Sequence, residues 1–250
     1  MHGLESAAPV DTTEDMLLGG KIRYRQFAHG HRSGFEPVLL AASVPAKSGE
    51  RVLEAGTGAG AGLLCLGHRV PGLAAIGLEI SPELAELANG NFYVNGLTSF
   101  TCRCARVENV ALDSVFDHAF ANPPWHNAAS SQSPDSNRAL AHHVRETALE
   151  DWISGLARAL KPRGSLTLIL PAARHVEAAT LLRRYKFGAL RLFPLWPRAA
   201  QPAKLVLIGA RHGARGEDRV LSGLTLHESA GLTAQAEAVL RQGAAINLDD

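Results

Sequence analysis

The chain has 250 residues, 46% hydrophobic and 20% charged, which suits one α/β domain with a sizeable core. A formal net charge of +1 excludes recruitment of nucleic acid by bulk charge, so any such contact must come from a local patch. Three cysteines, Cys65, Cys102 and Cys104, contain no CxxC pair, which argues against a disulfide framework and a zinc centre.

The N-terminal stretch "MHGLESAAPVDTTEDM" carries acids and no apolar core, so it does not read as a secretory signal. No run of about 18 apolar residues marks a membrane span, and reduced thiols fit a cytoplasmic location. "DMLLGGKIRYRQFAHGHRSG" reads as a β-hairpin, with Gly19-Gly20 at the turn and Ile22 and Tyr24 alternating with charged residues. "FEPVLLAASVP" predicts a short helix starting near Pro37. From Glu50 onward strands alternate with helices. The strands are "RVLEAG", "LAAIGLEI", "SFTCRCARV", "FDHAF", "SLTLILP", "ALRLFPL" and "AKLVLIGAR". Ser81 caps one helix with Pro82 at its first position, and a later helix is predicted to end at Lys161-Pro162. Cys102 and Cys104, two apart on a strand, are expected to share one buried side.

This alternation implies right-handed βαβ units. The expected fold is α/β, a mostly parallel seven-stranded sheet with one antiparallel strand among the last two long runs. A short strand, "LTLHES", and a helix close the chain. Residues 1–45 form an N-terminal segment with the hairpin and short helix, and residues 46–250 form the main domain. The polar stretch 128–146 is long enough to be a lid or a disordered loop.

Three sequence features carry chemistry. "LEAGTGAG" places Gly56, Gly58 and Gly60, with Thr57 between them, where a strand turns into a helix; such a turn lets backbone approach a ligand and presents helix N–H groups to it. Glu54 just before it would repel a pyrophosphate and welcome a cationic ligand. Glu79, followed by Ile80, ends the next strand about 20 residues on, where an acid accepts from ribose hydroxyls. Glu54, the glycines and Glu79 together specify an adenosyl ligand, and Glu54 points from a dinucleotide toward S-adenosylmethionine. The third feature is "ANPPWHNAA". Its prolines fix two φ angles and remove two donors. The Asn122 side-chain oxygen and the Pro123 carbonyl are then preset to accept from one planar NH₂ group, held by Pro124. Trp125 offers a face for stacking. Two acceptors stabilise an amine that gains positive character as it is alkylated.

"LEAGTGAG", "GLEI" and "NPPW" together resemble the Rossmann-like class I S-adenosylmethionine-dependent methyltransferases with an amino-methylating motif. From about Met16 onward, "RSGFEPVLLA" and "LTLHES…TAQAEAVLRQGAA" are similar to the tRNA-valine adenine N6-methyltransferase family. The resemblance implies that Glu54, Gly56, Thr57, Gly58, Gly60, Glu79 and Ile80 bind the cofactor. It places Gly34 and Glu36, from "SGFE", beside the cofactor's methionine end. It assigns Asn122, Pro123, Pro124 and Trp125 to the target amine. One departure stands out. Arg106 occupies the place of the acid that usually bonds the cofactor's adenine amine, and arginine is a donor only.

RNA, expected to be tRNA, would be met by local charge. Lys21, Arg23, Arg25 and Arg32 lie in a stretch without acids, as do the basic residues between Ala178 and Gly216, among them Arg198; Arg138 sits in the long loop. His29, His31, His142 and His143 lack acid or thiol partners at ligand spacing, so no metal is expected. The same chemistry would serve a protein glutamine carboxamide or an rRNA amine, and a non-catalytic homologue is the remaining alternative. Release-factor methyltransferases carry a helical N-terminal domain that about 45 residues before the core would not supply.

Overall fold

A computed structural model describes residues 11–30, 33–109, 115–124 and 149–249. Arg32, Trp125, Arg138, His31, His142, His143 and the stretch 128–146 lie outside them.

The hairpin consists of β1 (Thr12–Leu17) and β2 (Ile22–Phe27), antiparallel and joined by a 3₁₀ turn at Leu18–Gly20. Helix α1 (Glu36–Ser43) follows. The main sheet then alternates with helices: β3 (Arg51–Ala55), α2 (Ala61–Arg69), β4 (Ala74–Glu79), α3 (Pro82–Val94), β5 (Phe100–Cys104) and β6 (Phe116–Ala121). It continues through α4 (Leu149–Ala159), β7 (Leu160–Pro171), α5 (His175–Arg184), β8 (Phe187–Arg198) and β9 (Leu205–His212). The short strands β10 (Arg219–Val220), β11 (Leu224–Glu228) and β12 (Gly231–Leu232) and the single-turn α6 (Ala234–Glu237), prolonged by a π-turn, close the chain.

The sheet order is β12-β11-β8-β9-β7-β6-β3-β4-β5, with β10 on β8. Its seven long strands are the expected ones. The C-terminal segment adds three short strands, β10 and β11 parallel to β8 and β12 beside β11, of which β11 is the short strand expected at "LTLHES". Of the last two long strands β9 is the antiparallel one, paired against both β7 and β8.

Two expectations are corrected. Helix α4 stops at Ala159, not at Lys161-Pro162, because Leu160 already pairs with Phe116 across β6. Cys102 is buried, but Cys104 is exposed. Cys104 is the last residue of the edge strand β5, beyond the cover of α3, whose Asn89 Oδ1 accepts from Cys102 N at 2.7 Å.

Apolar side chains cover both sheet faces, as a parallel sheet with helices on each side requires. On one face α1, α2, α3 and the C-terminal segment pack with Leu18, Ile22 and Tyr24 of the hairpin. On the other, α4 and α5 pack through Ile153, Leu156, Leu181 and Leu182. The Ser81 hydroxyl accepts from Leu84 N and starts α3. That helix also holds the hairpin. Asn91 bonds both backbone groups of Arg25, and Asn95 both of Arg23, at 2.7–3.0 Å. Asn91 Nδ2 further donates to Ala59 O at 2.8 Å, in the glycine turn. No helix among the described residues is long and apolar enough to cross a membrane.

Candidate active site

Register brings the sequence motifs together. Ala55 of β3 pairs with Leu78 of β4 on one side and with Ala121 of β6 on the other. Gly56, Glu79 and Asn122 therefore leave the sheet side by side at its carboxyl edge. Strand order reverses between β3 and β6, and open α/β sheets bind ligands at such a switch point.

The turn after β3 is pinned to β4. Gly56 N and Thr57 N both donate to Leu78 O, at 2.8 and 3.1 Å. Gly58 N donates to Glu79 Oε2 at 2.8 Å. Glu79 Oε1 also accepts from Ile80 N and Ser81 N, at 2.8 and 3.0 Å. A carboxylate offers about four acceptor positions; three are used, and one remains. Gly56 has φ +69°, and a Cβ there would come within 2.7 Å of the Trp152 ring. Trp152, from α4, thus lies against the turn, and its Nε1 is buried without a partner.

Glu54 is buried beneath the same turn. Its Oε1 occupies the space that a side chain on Gly62 would fill, and its Oε2 has no hydrogen-bond partner among the described residues. Burial drives its pKa well above the usual carboxylate range, against the opposing bond from Leu63 N, and the nearby Glu79 charge adds to the rise. Tyr24 of the hairpin is buried close enough to Glu54 to feel its charge, and burial is the main cause that pushes its phenol up to about 12. The Tyr24 hydroxyl and the Gln26 Oε1 both hold Ser33, at 2.8 and 3.1 Å. Ser33 leads into Gly34 and Glu36, whose carboxylate fills the space beside Gly34. The hairpin thereby sets the start of α1 near Glu54.

Asn122 is half-buried, Pro123 buried and Pro124 exposed. Arg106 does not project alone. Its Nε donates to Glu108 Oε1 at 2.6 Å, and Ala105 N donates to Glu79 O. Among the described residues no group of three or more His, Cys, Asp or Glu is placed to hold a metal.

The basic stretches look different in space. Arg23 pairs with Glu14 across the hairpin at 3.1 Å, Arg25 donates to Thr12 Oγ1, and Lys21 donates to Gln242 O. Arg198 donates to Glu228 O, Arg183 meets Asp218, and Arg184 meets Glu150. Stretches free of acid in the sequence are thus not free of acid in three dimensions. Such exposed pairs are worth about 0–1 kcal/mol, so phosphate competes with them readily.

Trp152 was missed by sequence reasoning. A tryptophan on an amphipathic helix reads as core, and nothing local ties it to a turn almost 100 residues earlier.

The profile of the methyltransferase-domain family matches residues 53–168. A tRNA1(Val) (adenine(37)-N6)-methyltransferase of Bacteroides fragilis is 30% identical over 158 residues, 60% of this chain and 66% of that protein. A release factor glutamine methyltransferase of Bradyrhizobium diazoefficiens is 33% identical over 130 residues, 51% of this chain and 43% of that protein. The match thus spans just under two thirds of the first of these relatives. A predicted O-methyltransferase of Agrobacterium tumefaciens has the same fold, with TM-score 0.72 at 23% identity over 86% of this chain and 100% of that one. Sheet order and these matches make the chain similar in fold to Rossmann-like methyltransferases.

Proposed function

We propose that the chain methylates an exocyclic amine, adenine N6 of a tRNA, using S-adenosylmethionine. The observation that carries the reading is the placement of Asn122 and Pro123 at the end of β6, beside the glycine turn at the switch point. The cofactor fits the residues present. Glu54 Oε2, a buried acceptor without a partner, suits the cofactor's ammonium, and the remaining acceptor position of Glu79 suits a ribose hydroxyl. Gly56, Thr57, Gly58, Gly60 and Ile80 border it, with Gly34 and Glu36 toward the methionine end. When bound, the cofactor supplies a methyl group on a positive sulfur.

The chain's own residues do the rest. The Asn122 side-chain oxygen and the Pro123 carbonyl accept from the target NH₂ and turn its lone pair toward the methyl group. Both bonds strengthen as the nitrogen becomes positive, so they favour the transition state over the bound substrate. Pro124 and Trp125 are assigned to the target-amine site by sequence alone. RNA phosphates are met by Lys21, Arg23, Arg25 and Arg198, with Arg32 and Arg138 assigned by sequence alone. Action on tRNA places the protein in the cytoplasm.

The likeness to a glutamine methyltransferase favours a second reading, a carboxamide in a protein, since a planar NH₂ is common to both targets. Adenine is preferred because the adenine-methylating relative aligns over more of this chain. Incubation with radiolabelled cofactor and either total tRNA or total protein decides. Label in tRNA, recovered as N6-methyladenosine, is expected; label in protein alone overturns the first reading.

A further inference from the structure

A cavity of about 330 Å³ lies at the other end of the sheet from the glycine turn. Its walls are the C-terminal ends of α1 and α2, strands β7, β8 and β9, and the segment Ala245–Asp249. The helix C-termini mark the amino edge of the parallel strands, and none of the glycine-turn residues lines the cavity, so this is not the switch-point site. Small-molecule sites begin near about 300 Å³.

The charge inside it is unbalanced. Arg69, Arg191 and Arg211 line the cavity against a single carboxylate, Asp249, which Arg211 Nη2 meets at 3.1 Å. Each guanidinium carries five donors. Arg69 gives two bonds, to Ala41 O and Val44 O, and Arg191 two, to Leu190 O and Glu217 O. The Nε atoms of Arg69 and Arg191 are buried with no acceptor among the described residues. Register sets Arg191 opposite Gly209, and Arg211 follows two residues on, so the two cations share one sheet face as diagonal neighbours. Gly209 has no side chain to fill the space between Arg191 and Leu248.

Two hydroxyls stand on the same wall. Ser165 Oγ contacts His118 Nδ1 at 2.7 Å, while His118 Nε2 contacts Glu50 Oε2 at 2.8 Å. The carboxylate takes the Nε2 proton, so Nδ1 accepts the hydroxyl proton of Ser165. Thr167, only 1% exposed, is the second hydroxyl on that wall. Val44, Ile246 and Leu248 supply apolar wall.

We infer that this cavity is a second ligand site, for a phosphate monoester with a small apolar body. Three guanidiniums suit an anion with several oxygens, and charge-assisted bonds of this kind are the strong ones. The apolar wall suits the esterified group. Asp249 competes with the ligand for Arg211.

Calorimetry with phenyl phosphate tests this, against sodium chloride at matched ionic strength. The full chain is expected to bind phenyl phosphate with S-adenosylmethionine affinity unchanged. Arg211→Gln should weaken phenyl phosphate binding about tenfold or more, as loss of a charge-assisted bond does. Asp249→Asn, a surface change that spares the fold, should tighten it several-fold by removing the competitor. No binding by the unaltered chain, equal affinity in Asp249→Asn, or competition with S-adenosylmethionine would each overturn the assignment. Displacement of phenyl phosphate by a 5′-phosphorylated oligoribonucleotide, and not by its 5′-hydroxyl counterpart, supports the site with an RNA end as the source. Absence of displacement supports it with a free ester.

Discussion

Replacing Glu54 by Gln should make the protein more stable and less able to bind cofactor. The carboxyl is buried, one oxygen lacks a partner, and its pKa lies well above its ordinary value of 4.5. A group whose folded pKa is raised holds its proton more tightly in the folded state than in the unfolded one. Stability therefore falls as pH rises above the unfolded value, and goes on falling until the folded pKa is passed. Below pH 4.5 both states are protonated and no penalty remains. Glutamine keeps the shape and abolishes the titration. Keeping the carboxyl protonated costs about 1.4 kcal/mol for each pH unit between the unfolded and folded pKa, so Glu54→Gln should gain at least about that much near pH 8. In a chain of this length the corresponding rise in Tm is about 2–4 °C per kcal/mol. Thermal unfolding at pH 4 and pH 8 without cofactor reads the gain, which should be present at pH 8 and absent at pH 4. Calorimetry with S-adenosylmethionine reads the loss, since an amide does not pair with an ammonium as a carboxylate does. A variant less stable than the parent at pH 8, or one that binds cofactor equally well, would refute the argument that this carboxyl is held in strain for a cation.

Asn122→Ala should lower single-turnover methylation about 10²–10³-fold, as loss of one preorganised partner does elsewhere, with cofactor affinity near normal; an unchanged rate removes Asn122 from the reaction. Lys21→Glu, Arg23→Glu and Arg25→Glu together should weaken RNA binding and flatten its dependence on log salt, by about 0.9 per lost duplex phosphate contact; an identical slope would show that these side chains serve only Glu14, Thr12 and Gln242. Gly62→Ala should reduce cofactor affinity and stability together, because its methyl group enters the space held by Glu54 Oε1; unaltered values in titration and melting would mean the turn has room to spare. Arg106→Asp should tighten cofactor binding by restoring an acceptor near Glu79, and calorimetry showing weaker binding would mean that the Arg106–Glu108 pair itself shapes the pocket.

Local chemistry made most of the fold legible. Strands β3 to β9 are short apolar runs between punctuating glycines and prolines, and Ser81-Pro82 announces α3 without help from distant contacts. The convergence of Glu54, the glycines, Glu79 and Asn122 was equally readable, because each lies at the carboxyl end of a strand that register sets beside the next. What sequence concealed was decided by pairing across the chain. Leu160 joins β7 because Phe116 is opposite it, not because of its neighbours. Arg23 loses its isolation only when the hairpin folds Glu14 beside it. Trp152 reaches the glycine turn through the packing of α4, for which no spacing rule exists.

The asparagine pair on α3 has a consequence for solubility. A two-stranded ribbon is marginal by itself in water, and its outer strand normally shows a row of bare amides and carbonyls to any passing chain. On β2 the outward groups of Arg23 and Arg25 are already taken, both N–H and C=O, by the carboxamides of Asn95 and Asn91. A carboxamide repeats the donor and acceptor of a peptide bond, and two of them one helical turn apart match alternate residues of a strand. The helix thus stands in for a third strand, and the hairpin presents no template there for intermolecular pairing. Asn91→Ala with Asn95→Ala would uncover four backbone groups at once, turning a protected border into a place where copies of the chain could join edge to edge.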